Sequence, residues 1–167
     1  MADRGKTRDA FTELRMADEK RAETFAELSR HADALGDWEH AVAQSQGGDL
    51  VWARLNRALA LGRVNEYVRA ETEADALAPG AKTAVEARYR LGCADALAAT
   101  GAEKNSALAS DDRAKLIESY ALKALGQLQK AADRGHFKLE VNREKLKTST
   151  DLNTVRGRDG FAALLVE

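Results

Sequence analysis

The sequence has little of several residue types, and each shortage excludes a class of protein. Its 167 residues include one cysteine and one proline. A single cysteine excludes a disulfide framework and any zinc site built from several cysteines. Aromatic residues make up 5% of the chain, so few rings are available to stack on bases or sugars. No apolar run approaches the roughly 20 residues that a membrane-spanning helix needs.

An excess of charge of one sign is also missing. The chain has 26 basic and 27 acidic residues and a formal net charge of -1. Nucleic-acid-binding domains are normally basic, so we expect no nucleic-acid partner. The first residues, Met-Ala-Asp-Arg-Gly-Lys, lack the apolar stretch of a signal peptide. We therefore expect a cytoplasmic location without membrane insertion, although a fragment of a membrane-anchored protein would have lost such a signal.

What the sequence does have is alanine, about a fifth of all residues and far above ordinary usage. Hydrophobic residues make up 44% and charged residues 32%. Alanine is the strongest helix former and proline the strongest helix breaker. The composition therefore predicts an almost wholly helical chain, and no segment alternates apolar and polar residues as a strand would.

Glycine and the lone proline divide the chain into predicted helices. The first 35 residues predict one long helix, or two that meet near Asp18, broken at Gly36-Asp37. Asp49 is expected to cap a helix, because its carboxylate can accept hydrogen bonds from free first-turn amides. Gly101 to Ser110 is expected to be a loop. The other predicted helices are Trp38–Gln44, Leu50–Leu61, a helix from Val64 to Pro79-Gly80, Thr83–Thr100, one from Ser110 to Arg134 before Gly135, Leu139–Lys147 and Asp159–Val166.

One of these breaks carries a recognisable motif. Leu35, Gly36, Asp37 and Trp38 are followed three residues later by Ala41. The segment resembles the turn between the two helices of a tetratricopeptide repeat. In such a turn the glycine lets the chain reverse at positive φ, the aromatic ring fills the gap between the helices, and the small residue lets their backbones approach.

Two further copies are weaker. Leu61-Gly62 repeats the Leu-Gly pair, with Ala74 and Pro79 at the family's later small-residue and proline positions. Gly36 and Gly62 are 26 residues apart, whereas the usual repeat is about 34 residues, so the first unit needs a truncated second helix. A third copy opens at Tyr89, and its second helix is delayed by the predicted loop.

The final third strengthens the resemblance. It is similar to the tail that closes tetratricopeptide regions of large bacterial signalling proteins, many of them serine/threonine protein kinases. In that tail an acidic Asp-Leu-x-x-Leu-Arg segment precedes a Phe-x-x-Leu-Leu helix. The matching residues are Asp151, Leu152, Val155, Arg156, Phe161, Leu164 and Leu165. Ser149, Thr150, Asn153 and Thr154 depart from the usual pattern.

The resemblance covers residues 22–167 and implies an all-α array of helix pairs. It implies irregular pairs over 22–134 and a short-helix cap over 135–167, after an N-terminal helix or linker over 1–21. The implied function is non-catalytic protein–protein interaction, as an accessory region of a multidomain signalling protein. The glycine-rich loop, His-Arg-Asp and Asp-Phe-Gly signatures of kinases are absent from the sequence.

The resemblance also implies where a partner binds. In this family ligands usually lie against the concave face that the first helix of each pair makes. Projecting that face from the glycine positions gives Arg30, Trp52, Asn56 and Tyr89. An indole on a groove wall is a common anchor for a peptide. Trp52 can equally fill the space that the truncated first unit leaves, and the sequence leaves both interpretations open.

No cofactor or metal is expected. His31 and His40 are nine residues apart, so they do not share one helical face as paired zinc ligands would. His136 and Glu140 lack an obvious third ligand. Cys93 lies on an alanine-rich face and is expected to pack as a small apolar group. An enzyme would need a deep pocket that holds Cys93 next to a histidine.

Two other features have ordinary structural explanations. Asp111-Asp112 is expected to stabilise a helix start, where free amides and the helix dipole favour carboxylates. Residues 134–158 hold seven basic and three acidic residues. We interpret that stretch as a solvated face rather than a phosphate site, because its charges are interleaved with packing residues.

The N-terminal segment supports an alternative function. Phe11, Leu14, Phe25 and Leu28 form an apolar stripe, which Asp18 and Arg21 interrupt. The segment can cap the first repeat, since terminal repeats need covering, or it can pair two chains in a self-associating scaffold. The chain is therefore expected to be a monomer or a homodimer.

Overall fold

The computed structural model describes residues 3–80 and 84–165, with side chains from residue 11 onward. This part of the chain contains α-helices and short 3-10 turns but no strand, which confirms the all-α expectation. The helices are α1 (Asp3–Glu27), α2 (His31–Gln44), α3 (Gly47–Arg63), α4 (Tyr67–Leu77), α5 (Val85–Lys104), α6 (Ser110–Ala132), α7 (Glu140–Thr148), α8 (Asn153–Arg156) and α9 (Asp159–Ala163). None of the described helices is both long enough and apolar enough to span a membrane.

The predicted break at Gly36-Asp37 is wrong, because both residues lie inside α2. The chain reverses earlier, between α1 and α2, where Ser29 adopts φ +58°. Helical backbone at Asp37 turns its carboxylate toward α1, where Arg21 binds it through two hydrogen bonds of 2.7 Å. Trp38, the next residue of the same helix, is buried. One glycine in a helix costs only about 1 kcal/mol, and these contacts offset that cost.

The start of α3 also differs from the prediction. The break at Gly47-Gly48 is confirmed, since α2 ends at Gln44 and Gly47 adopts φ +56°. The residue at the cap position is Gln46, and Asp49 is the third residue of the helix. Asp49 binds Arg15 of α1 at 3.2 Å, so it joins two helices instead of capping one.

Gly62 and Gly101 lie inside helices, although the sequence places a helix end or a loop at each. α3 continues to Arg63, and the left-handed residue after it is Asn65, at φ +64°. A Cβ on Gly62 would lie 2.6 Å from Cβ of Leu97 in α5. A Cβ on Gly101 would lie 2.6 Å from Cβ of Tyr67 in α4. Both glycines are therefore needed for close helix contact rather than for a turn.

Other predicted boundaries are confirmed. α4 ends at Leu77, two residues before Pro79, and α6 begins at Ser110. Gly135 follows α6 with φ +79°, the left-handed conformation that glycine adopts without strain. The predicted helix start at Thr83 and the predicted helix end at Val166 lie outside the described residues.

Consecutive helices from α1 to α6 pack against each other, and α3 also contacts α5. The larger apolar core contains residues of α3, α4, α5, α6 and the C-terminal cap. A smaller core contains residues of α1, α2, α3 and α4. α5 is the central element, since nearly all residues from Ala87 to Ala102 are buried. The cap is part of the larger core, because Leu146, Leu152 and Val155 are fully buried in it.

Candidate functional site

Two adjoining clefts, together called the groove, lie where the cap meets α1, α3 and α5. The larger cleft has a volume of about 550 Å³ and lies between the end of α1, His31 and the segment Thr148–Asp151. The smaller has a volume of about 270 Å³ and lies between α3, α5 and α7. Arg63, Thr148, Ser149 and Asp151 line both clefts, so the two clefts adjoin at these residues.

An ion pair between α3 and the cap lies where the two clefts meet. Arg63 donates to the two Asp151 oxygens from Nε at 3.1 Å and from Nη2 at 2.7 Å. Burial lowers the pKa of Arg63, but the hydrogen bonds and charge of Asp151 outweigh it and raise this pKa. The guanidinium also lowers the pKa of His31, which burial has already depressed. His31 is therefore a neutral imidazole at neutral pH.

Arg90 of α5 is fixed on the wall of the smaller cleft by three neighbours. Its guanidinium lies over the Trp52 ring, 4.2 Å from the ring centroid, a favourable cation–π geometry. Its Nη1 donates to Oδ1 of Asn56, and its Nε donates to Glu86 at 3.1 Å. Asn56 in turn donates to the Trp52 carbonyl at 3.1 Å. Trp52 and Asn56 thus orient Arg90, which lines the cleft.

Tyr89 and Cys93 lie one helical turn apart on α5 and line the smaller cleft. The Tyr89 hydroxyl interacts with Cys93 and Ser149, and burial raises its pKa. The Tyr89 ring packs on the ring of His136 at 5.3 Å between centroids. Burial raises the pKa of the Cys93 thiol to about 12. Because the thiolate is the nucleophilic form, a thiol with this pKa is poorly suited to nucleophilic catalysis.

Of the four residues predicted from the sequence, three lie at or beside the smaller cleft and Arg30 does not. Tyr89 lines the smaller cleft, and Trp52 and Asn56 contact Arg90 behind its wall. Arg30 lies at the α1–α2 junction, where its guanidinium stacks over Phe25 at 4.4 Å. Arg30 does not line either cleft.

Sequence reasoning missed Arg63, Arg90 and Lys145 as cleft residues. Asp151 belongs to the tail motif, but its partner Arg63 is 88 residues away in sequence. No local pattern links two positions so far apart. The one local pattern that involves a missed residue is the four-residue spacing of Glu86 and Arg90, which is typical of an ion pair on one helical face.

One cluster outside the groove has ligand types that suit a metal. Single ligand atoms of Asp18, Asp37 and His40 lie within 4.8 Å of one another. Arg21 binds Asp18 at 2.9 Å as well as Asp37, so a guanidinium already supplies positive charge to both carboxylates. We interpret the cluster as an ion-pair network that joins α1 to α2.

Comparison of the chain with protein-family models, with curated proteins and with solved structures found no match. The groove and the motifs within this sequence are therefore what indicate a function.

Proposed function

We propose that this chain is a non-catalytic protein–protein interaction module that binds a peptide or helix of a partner protein in the groove. The observation that supports this proposal is that two clefts adjoin and share four lining residues. Two adjoining clefts can accept successive side chains of one segment of polypeptide. The resemblance of the tail further suggests an accessory region of a bacterial multidomain signalling protein, such as a serine/threonine kinase.

The chemistry of the groove also favours binding over catalysis. Two of the three carboxylates that line it are paired, Asp151 with Arg63 and Glu86 with Arg90, and the third is Glu27. The thiol of Cys93 is protonated at neutral pH, because burial raises its pKa to about 12. Acid–base and nucleophilic catalysis need a group poised to exchange a proton near the working pH. Groups that are already paired can instead orient a ligand through hydrogen bonds.

Selection of peptides from a displayed random library on the folded chain tests this proposal. Thr148→Trp would place an indole in both clefts, since Thr148 lines both. Thr72→Trp on α4 is the matched control. Each threonine is exposed, and each hydroxyl donates to the carbonyl four residues earlier at 2.7 Å.

We expect selected peptides to bind the wild type and Thr72→Trp equally and Thr148→Trp at least about tenfold more weakly, a loss of about 1.4 kcal/mol. Circular dichroism checks that each variant remains helical. Recovery of no peptide, or equal binding to both variants, would count against the groove as a partner site.

A second candidate function, self-association, is supported by α1. This helix has 25 residues and α2 has 14, so α1 extends past its neighbour. Gln44, the last residue of α2, donates to Asp18 of α1, so the extension lies on the N-terminal side of Asp18. Phe11 and Leu14 are more than half exposed there. A second copy of the chain can cover such side chains.

A further inference from the structure

Three cationic side chains around the smaller cleft have hydrogen-bond donors to spare. Arg63 uses Nε and Nη2 for Asp151, and Arg90 uses Nε for Glu86 and Nη1 for Asn56. Among residues 11–80 and 84–165, whose side chains the structure describes, no hydrogen bond is found from Nη1 of Arg63, Nη2 of Arg90 or Nζ of Lys145. Arginine carries five N–H donors and lysine three, so these groups can bind a further acceptor.

The two carboxylates of the same cleft already have basic partners. Asp151 accepts two hydrogen bonds from Arg63. Glu86 accepts from Arg90 and lies 3.5 Å from Nε2 of His136. The charged side chains that line the cleft are three basic residues and two carboxylates, and the charge without an opposite partner belongs to Lys145. The cleft therefore favours an incoming anion over an incoming cation.

The three donors come from three separate helices, with Arg63 on α3, Arg90 on α5 and Lys145 on α7. One carboxylate has about four acceptor positions, and hydrogen bonds between charged groups are stronger than neutral ones. Trp52 and Asn56 hold the Arg90 guanidinium in place, so less side-chain entropy is lost when a ligand binds.

We infer that the occupant of the groove is an acidic peptide segment, with one Asp or Glu carboxylate bound between Lys145, Arg63 and Arg90 in the smaller cleft. This inference rests on the proposed function of the groove. It assigns the partner's chemistry: a carboxylate in the smaller cleft, flanked by residues that lie along the larger cleft, where Glu27 is part of the lining.

Fluorescence anisotropy with three labelled probes tests the inference: octaglutamate, octaserine and octalysine. Lys145→Gln removes the charge that has no opposite partner, and Lys147→Gln is its matched control. Lys147 lies on the same helix, is exposed and binds Glu144 at 2.8 Å, and it does not line the cleft. Both variants change the net charge of the chain by the same amount.

We expect octaglutamate to bind most tightly, and Lys145→Gln to weaken it by about tenfold, the effect of losing one charged hydrogen bond. Lys147→Gln should leave the affinity unchanged, and added salt should weaken binding to the wild type. Equal losses in the two variants would overturn the inference, since they would show only general attraction of charge. Equal or tighter binding of octaserine or octalysine would overturn it as well.

The display experiment separates failure of this inference from failure of the proposed function. The selected peptides could lack acidic residues and still bind Thr148→Trp more weakly than the wild type. That result would support the peptide-binding function. The same result would overturn the assignment of an acidic partner.

Discussion

At the scale of single residues, the most unusual group is Asp95 in the middle of α5. The residue is 2% exposed, and its Oδ1 has no hydrogen-bond partner among the described residues. Burial raises the pKa of Asp95 to about 7; Lys123 of α6 opposes this shift, while Asp75 and Glu71 of α4 add to it. The folded protein therefore favours the protonated carboxyl, whereas the unfolded chain ionises near pH 4.

We predict that this carboxyl makes stability fall as pH rises. Because the pKa of Asp95 is higher in the folded than in the unfolded state, its contribution to the free energy of unfolding is fully present below about pH 4. Between that pH and the folded-state pKa, the free energy of unfolding decreases by about 1.4 kcal/mol per pH unit. Asp95→Asn cannot ionise, so its free energy of unfolding should fall much less between pH 5 and pH 8. Denaturant unfolding at the two pH values measures the difference.

The exposed Asp133→Asn variant is the control for this measurement and should keep the wild-type pH dependence. An Asp95→Asn variant that retains the full wild-type decrease would show that Asp95 does not cause it. Because Asn brings an amide that also needs partners, the comparison uses the change with pH and not the absolute stability.

At the scale of helices, the sequence predicts boundaries well wherever the signal is local. The end of α2 before Gly47 and the start of α6 at Ser110 depend on a few neighbouring residues. The sequence does not show whether Gly36, Gly62 and Gly101 lie in turns or inside helices, because proteins use glycine either for its conformational freedom or for its small size. Which property matters depends on the residues packed against it, and the sequence does not show them. The same reason explains why the residues of the groove were only partly predicted.

Two glycine substitutions test this interpretation of the helices. A Cβ on Gly36 would meet no atom within 4 Å, and Gly36 is helical, so Gly36→Ala should stabilise the protein by about 0.5–1 kcal/mol. Gly62→Ala should destabilise it by about 1–3 kcal/mol, because the new methyl group overlaps Leu97. Chemical denaturation of the two variants measures both changes.

The Gly36 result also bears on the repeat resemblance. If this glycine stood in a turn at positive φ, as the motif implies, alanine there would be strained and Gly36→Ala would lower stability. A stabilised variant would favour the continuous helix α2. The resemblance would then rest on the tail, since Gly62 and the segment that opens at Tyr89 also lie inside helices.

At the scale of the whole molecule, the cap is what forms the groove. Its buried residues pack into the larger core beside α5 and α6, and the segment Thr148–Asp151 then faces α1 and α3. A binding site made this way depends on the complete array of helices. The sequence predicts that a cap is present, but it does not predict that the cap forms one wall of the site.

The oligomeric state distinguishes the two candidate functions at this scale. A stable dimer buries about 1,200 Å² or more, whereas the exposed large apolar side chains that the structure describes on the extension of α1 are Phe11, Leu14 and Met16, too few to bury that area alone. We therefore predict that the protein is a monomer at micromolar concentration and that its mass by light scattering does not change on dilution. A stable dimer that is lost in the double variant Phe11→Lys, Leu14→Lys would contradict this prediction and favour the self-associating scaffold. Val68→Lys is the control, since Val68 is equally exposed on α4, and it should not affect a dimer that forms through α1.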